Sequence, residues 1–202
     1  MIAKVCGLTC AEDVAAALAA GADLLGFLQH PASPRHCPDL RLAGPARDRA
    51  VLVAVAGEAG TIGQWARAAG AGWVQPYLPA AARAAGVARL RAEGRRVLLP
   101  WPDEPDQEPL AADLYLWETS PGATGVLGGS GRGHAMGWPP PGPFLLAGGL
   151  HGAVLAERLA ALSPELRARC LGFDAASRLE RAPGRKDPGR VASFVRLSHE
   201  LE

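Results

Sequence analysis

The feature that most constrains this chain is a repeated alternation: a short β-branched or apolar run, a turn, then an Ala/Leu/Arg-rich stretch at helical spacing, with no linker between repeats. The runs fall at Ile2 to Cys6, Leu24 to Leu28, Val51 to Val55, Trp73 to Gln75, Arg96 to Pro100, Leu114 to Glu118, Phe144 to Ala147 and Leu171 to Asp174, which makes eight predicted strands. Helices are predicted near Ala11 to Ala20, Thr61 to Ala69, Pro79 to Glu93, Gly152 to Leu162 and Asp187 to Leu201. Weaker helical spacing occurs near Asp39 to Arg49, Pro105 to Ala112 and Pro139. Strands that alternate with helices pair in parallel through crossover helices. Eight such units in 202 residues fit the lower size limit of a closed barrel, whereas an open doubly wound sheet uses about five or six strands. The expected fold is therefore α/β, a single (β/α)8 TIM barrel over residues 1–202. Its first unit is the best drawn: Thr9-Cys10-Ala11-Glu12 has capping-box spacing, Val14 and Leu18 share a helical face, and Gly21 can close the C-terminus.

Composition narrows the function classes. With 49% hydrophobic and 20% charged residues the chain is too apolar for disorder. Twenty-one basic against twenty acidic side chains leave +1, so no broad positive field exists to collect nucleic acid. Apolar stretches are interrupted well before the roughly 20 residues of a membrane helix. The N-terminus reaches a polar segment too soon for a signal peptide, and a cytoplasmic location is expected. Cys6, Cys10, Cys37 and Cys170 show no CxxC spacing, so free thiols are expected rather than a zinc site. Lys4 and Lys186 are the only lysines.

In a barrel the active site forms at the C-terminal ends of the strands, which makes strand-end polar residues the ones to weigh. Strand 1 ends at Cys6-Gly7, strand 2 leads to Arg35, strand 4 ends at Gln75, strand 6 at Glu118, strand 7 runs into Gly148-Gly149, and strand 8 ends at Asp174. A free cysteine is usually a small buried hydrophobe. Lys4 and Cys6 point the same way along a strand, however, and an ammonium there favours the thiolate that base chemistry needs. The competing reading pairs Lys4 with a barrel carboxylate. Glu118 is either an acid kept protonated by partial burial or the partner of an arginine. Gly148-Gly149 is a turn, or, with the loop from Asp174 to Arg185, the place after strands 7 and 8 where barrels hold phosphate. The Gly- and Pro-rich stretch Gly122 to Pro143 is too long for a simple turn and reads as a functional loop.

Taken in order, Lys4-Val5-Cys6-Gly7-Leu8-Thr9, Gly21-Ala22-Asp23, Gly26-Phe27 and Ser33-Pro34-Arg35 resemble the opening of the phosphoribosylanthranilate isomerase family of tryptophan biosynthesis. Gly128-Gly129-Ser130-Gly131 with Trp138, Leu146 to Leu150, and Asp174 through Ser177 and Glu180 to Pro183-Gly184-Arg185-Lys186-Asp187 continue the resemblance to the end of the chain. The resemblance implies a cofactor-free Amadori rearrangement of a small phosphorylated substrate, without nucleic acid or membrane, by a monomer or homodimer. It implies Cys6 as base and Arg35 as the holder of the anthranilate carboxylate. It further implies Gln75, Gly148, Gly149, Asp174, Ser177 and Arg178 as substrate-binding residues. The family's acid is an aspartate, and Glu118 stands at the matching position. Other departures follow: the family's Gln-Leu-His-Gly reads Gln75-Pro76-Tyr77-Leu78, a family serine is Ala176, a family glycine beside the phosphate is Arg178, and Phe-Val-Asn-Glu reads Val55-Ala56-Gly57-Glu58. Arg178 either binds phosphate or fills its site. Two other readings compete: a non-catalytic or regulatory barrel that binds a phosphorylated metabolite, and a Schiff-base lyase using Lys4.

Overall fold

The computed structural model describes residues 1–101, 110–118 and 138–201. Eight parallel strands close into one barrel in chain order: β1 (Ile2–Cys6), β2 (Leu24–Gln29), β3 (Ala50–Val55), β4 (Trp73–Tyr77), β5 (Arg96–Trp101), β6 (Leu114–Trp117), β7 (Phe144–Leu146) and β8 (Cys170–Ala175). The seam is shut by β1 and β8, which pair from Ile2 against Gly172 to Val5 against Ala175. All eight predicted strands are present, and the barrel expected from their number and alternation is observed.

Period-two alternation divides each strand between two apolar layers. Leu24, Val51, Val53, Leu98, Leu114, Leu116, Leu145 and Ala147 fill the barrel interior. The alternate positions, among them Ala3, Val5, Phe27, Leu52, Val74, Leu99, Tyr115, Phe144 and Phe173, pack against the surrounding helices. Lys4 and Asp174 interrupt the inner layer with charge.

The helical layer is less regular than the sequence predicts. Helices α1 (Ala11–Ala19), α2 (Ala59–Ala69) and α3 (Ala80–Ala92) follow β1, β3 and β4, and α6 (Pro188–Glu200) closes the chain. Between β2 and β3 the stretch Leu40–Arg49 is 3-10 helix with Pro45 inside and a kink at Arg47, because proline removes the donor an α-helix needs. The predicted Gly152 to Leu162 helix begins as a 3-10 turn, Gly152–Val154, and is α-helical only as α4 (Leu155–Ala160). A further helix, α5 (Pro164–Arg169), starts where Ser163 accepts a hydrogen bond from the Leu166 amide and Pro164 occupies the first turn. Residues 110–112 and Pro139 are not helical, while residues 105–109 and most of the Gly122 to Pro143 loop, including Gly128 to Gly131, lie outside the described residues.

The expected capping box also fails. Cys10, not Thr9, is the N-cap of α1, and the Thr9 hydroxyl donates instead to the Gly184 carbonyl at 2.6 Å. That bond fastens the β1–α1 loop to a hairpin after β8, formed by β9 (Glu180–Ala182) and β10 (Arg185–Lys186). The Gly21 closure of α1 is observed: Gly21, at φ +83°, donates from its amide to the Leu18 carbonyl, and the next amide, Ala22, donates to the Ala17 carbonyl.

Candidate active site

A cavity at the C-terminal mouth of the barrel is lined by Cys6, Gly7, Ser33, Arg35, Gln75, Tyr77, Glu118, Asp174 and Ala176, among others. Five residues singled out in the sequence, Cys6, Arg35, Gln75, Glu118 and Asp174, therefore meet in one place although they come from different β/α units. The site is built where the strands end, and two glycines make room for it. A Cβ at Gly26, paired with Cys6 across β1 and β2, would stand 2.7 Å from the Cys6 sulfur. Gly7 adopts φ +76°, and a Cβ there would meet Arg35 Cδ at 2.8 Å.

Charge around Cys6 is organised in two groups. Lys4, fully buried, donates to Asp174 Oδ1 at 2.7 Å across the β1–β8 seam. Burial alone would lower the Lys4 ammonium, but the Asp174 carboxylate and then Cys6 outweigh it and hold the ammonium above its ordinary value. Both sequence readings of Lys4 are thus realised together: it pairs with a carboxylate and it faces Cys6. The Schiff-base reading is disfavoured, because the Lys4 amine is engaged by Asp174.

Burial raises the Cys6 thiol, Lys4 and Lys186 draw it down, and Asp174 pushes it up. The balance leaves Cys6 above its ordinary value, so the ammonium moderates the cost of a thiolate without producing one at rest.

In the second group Arg35 donates through Nε and Nη2 to the two oxygens of Glu180, at 2.8 and 2.9 Å. Lys186, also fully buried, donates to Glu180 Oε1 at 3.0 Å and to the Ala176 carbonyl at 3.1 Å. Burial would raise the Glu180 carboxyl, yet Arg35 and Lys186 bring it below its ordinary value. Two cations share one carboxylate, so the cluster keeps a net positive charge beside the cavity. The Nε–Nη2 edge of Arg35 is engaged by Glu180, and Arg35 lines the cavity.

On the far side Gln75 donates from Nε2 to the Tyr77 hydroxyl at 3.0 Å, and Tyr77 donates to Glu118 Oε1. Gln75 Oε1 is buried and has no hydrogen-bond partner among the described residues. Tyr77, Glu180 and Lys186 received no role from the sequence. Alternation could have found Tyr77: if Gln75 faces the interior, so does the residue two positions on.

The residues expected around phosphate are placed separately. Gly148 and Gly149 have φ +95° and +68°, consecutive backbone conformations that favour glycine. They lead to the short 3-10 turn at Gly152, so an anion there would depend on those amides rather than on a long helix. Ser177 opens the 3-10 turn Ser177–Leu179 directly after Ala176. Arg178 is exposed and lines a second cavity of about 550 Å³ with His151, Gly152, Asp187, Arg190 and Ser193.

Comparison with known proteins supplies the deciding observation. No protein-family profile matches the chain. It is 35% identical to an N-(5'-phosphoribosyl)anthranilate isomerase of Azorhizobium caulinodans, over 98% of this chain and 92% of that protein. The chain belongs to the phosphoribosylanthranilate isomerase family. A second isomerase, from Afipia carboxidovorans, is 34% identical over 98% of this chain and 89% of its own length. The crystal structure of phosphoribosyl anthranilate isomerase from Thermus thermophilus superposes with a TM-score of 0.77 at 26% identity, covering both chains completely. No helix among the described residues is long and apolar enough to cross a membrane.

Proposed function

We propose that this family member catalyses the Amadori rearrangement of N-(5-phosphoribosyl)anthranilate to 1-(2-carboxyphenylamino)-1-deoxyribulose 5-phosphate by general acid-base catalysis. The observation that carries the reading is the meeting of Cys6 and Glu118 in one cavity beside a net-positive Arg35–Glu180–Lys186 cluster. Their strands, β1 and β6, are separated by β7 and β8 on one side and by four strands on the other, so the groups reach the cavity from different sides.

The reaction needs two proton transfers on different atoms of one substrate. Glu118 gives its proton to the ribose ring oxygen as the C1–O bond breaks, leaving an open-chain iminium. Cys6 acts in the fraction whose thiol has released its proton to solvent: that thiolate takes the C2 proton, and the electron pair of the C–H bond moves to neutralise the iminium nitrogen. The resulting enolamine tautomerises to the aminoketone, so atoms and electrons are conserved and no cofactor is called for.

Substrate groups have matching partners. Arg35 meets the anthranilate carboxylate from its Nη1 side, with Glu180 holding the other edge, a planar match that lysine would not give. Gln75 Oε1 accepts from a ribose hydroxyl, and Asp174, held by Lys4, accepts from another. The amides of Gly148 and Gly149 and the turn at Ser177 hold the phosphate, with Arg178 adding charge at the surface. This reading places the enzyme in the cytoplasm, in tryptophan biosynthesis, as a monomer or homodimer.

The test is direct. Purified protein is incubated with freshly made phosphoribosylanthranilate and loss of the substrate's fluorescence is followed, with the ketose product identified chemically. Enzyme-dependent conversion is expected, and none above the uncatalysed rate would overturn the proposal in favour of a phosphate-binding barrel.

A further inference from the structure

Glu118 stands at the end of a directed chain of two hydrogen bonds, Gln75 to Tyr77 and Tyr77 to Glu118, that the reaction as described does not use. Trp73, Gln75 and Tyr77 share the inward face of β4, and the β4–β5 pairing runs only through Trp73 and Val74. Pro76 has no N–H to offer a neighbour, and it lies beyond the β4–β5 pairing while still opposite Ala54 of β3. Beyond Val74 the strand stays paired with β3 alone, Val53 against Gln75 through Val55 against Tyr77, and that pairing carries Gln75 and Tyr77 into the mouth.

Direction follows from chemistry. The Gln75 amide nitrogen can only donate, so the Tyr77 oxygen accepts from it and the single phenol proton is turned to Glu118 Oε1. We infer that Tyr77 is a positioning residue for the acid: its hydroxyl fixes the Glu118 carboxyl and decides which of the two oxygens presents the proton to substrate.

This deepens the isomerase reading and rests on it. An oxygen that accepts from Tyr77 is not the one that presents the proton, so the proton for the ring oxygen travels from Oε2. A glutamate also has one more rotatable bond than an aspartate, and a fixed partner confines it. Burial, followed by the Glu118 carboxylate, raises the Tyr77 phenol well above its ordinary value, which keeps it a donor through the neutral range. Misplacing a reacting group by about 1 Å can cost on the order of a hundredfold in rate.

Two measurements test this. In kinetics, Tyr77→Phe is expected to lower kcat roughly tenfold, part of the loss a misplaced acid can cause. KM should stay within about twofold, the mark of an interaction made mainly in the transition state. Added to Glu118→Gln, the same change should cause no further loss, because a residue that acts only through Glu118 has nothing left to position. Losses that multiply, or an unchanged kcat in Tyr77→Phe, would overturn the inference.

The second measurement does not depend on activity. Tyr77 and Tyr115 are the only tyrosines in the chain, so phenolate absorbance in a Tyr115→Phe background reports Tyr77 alone. Glu118→Gln should move its ionisation to lower pH, and no movement would overturn the inference. If the wild-type chain lacks turnover, the isomerase reading fails while this titration still decides whether Tyr77 holds Glu118.

Discussion

At the scale of single residues, the decisive balance is at Cys6, where burial outweighs two ammonium groups and keeps the thiol protonated at rest. Because kcat/KM reports ionisations of the free enzyme, its pH profile should rise on an alkaline limb placed above the ordinary cysteine range. A limb at or below neutrality would show that some other group is the base. Space matters as much as charge here. Gly26→Ala puts a methyl 2.7 Å from the Cys6 sulfur and must displace it, so turnover should fall by roughly a hundredfold while the fold survives, as read by steady-state kinetics beside circular dichroism. The meeting of these residues could be read from the sequence, since Cys6, Glu118 and Asp174 end predicted strands and a barrel brings strand ends together. The engagement of Arg35 by Glu180 could not, because it joins residues 145 positions apart through a hairpin with no hydrophobic pattern of its own.

At the scale of elements, the β1–β8 seam carries a buried ion pair where an apolar layer would otherwise continue. Removing one partner leaves an uncompensated charge, so Asp174→Asn should cost about 3–5 kcal/mol, measured by urea unfolding. The double variant Lys4→Met with Asp174→Leu should recover most of that loss. Equal instability of single and double variants would show that the seam depends on the charges themselves. Strands were legible because each is a continuous apolar run between turns. The helical layer was less so: Pro45 turned a predicted helix into 3-10 structure, and α5 is too short at six residues to show a helical period. The capping box misled because Thr9 found a better acceptor in Gly184, a tertiary partner that no local pattern announces.

At the scale of the whole molecule, several buried groups tie stability to pH in a known direction. Burial pushes Cys37 and Cys170 up to about 11, and Cys6 and Tyr77 are raised as well. A raised acid ionises first in the unfolded chain, so its contribution is intact below the unfolded value and is lost as pH climbs through the folded one. The melting temperature should therefore fall steadily between about pH 9 and 11, and a flat profile there would contradict the burial of these groups. Glu180 acts on the acid side: its lowered value adds stability above the ordinary carboxylate range, lost as pH drops through the folded value. In the proposed function, the whole arrangement, charges buried in a barrel whose mouth gathers Cys6 and Glu118, serves to move two protons on one substrate. The most direct test is the turnover of phosphoribosylanthranilate by wild type, Cys6→Ser and Glu118→Gln side by side. A loss of roughly a hundredfold or more in each variant, with KM little changed, is predicted. Wild-type turnover in Glu118→Gln would contradict the account and move the search for the acid to Asp174.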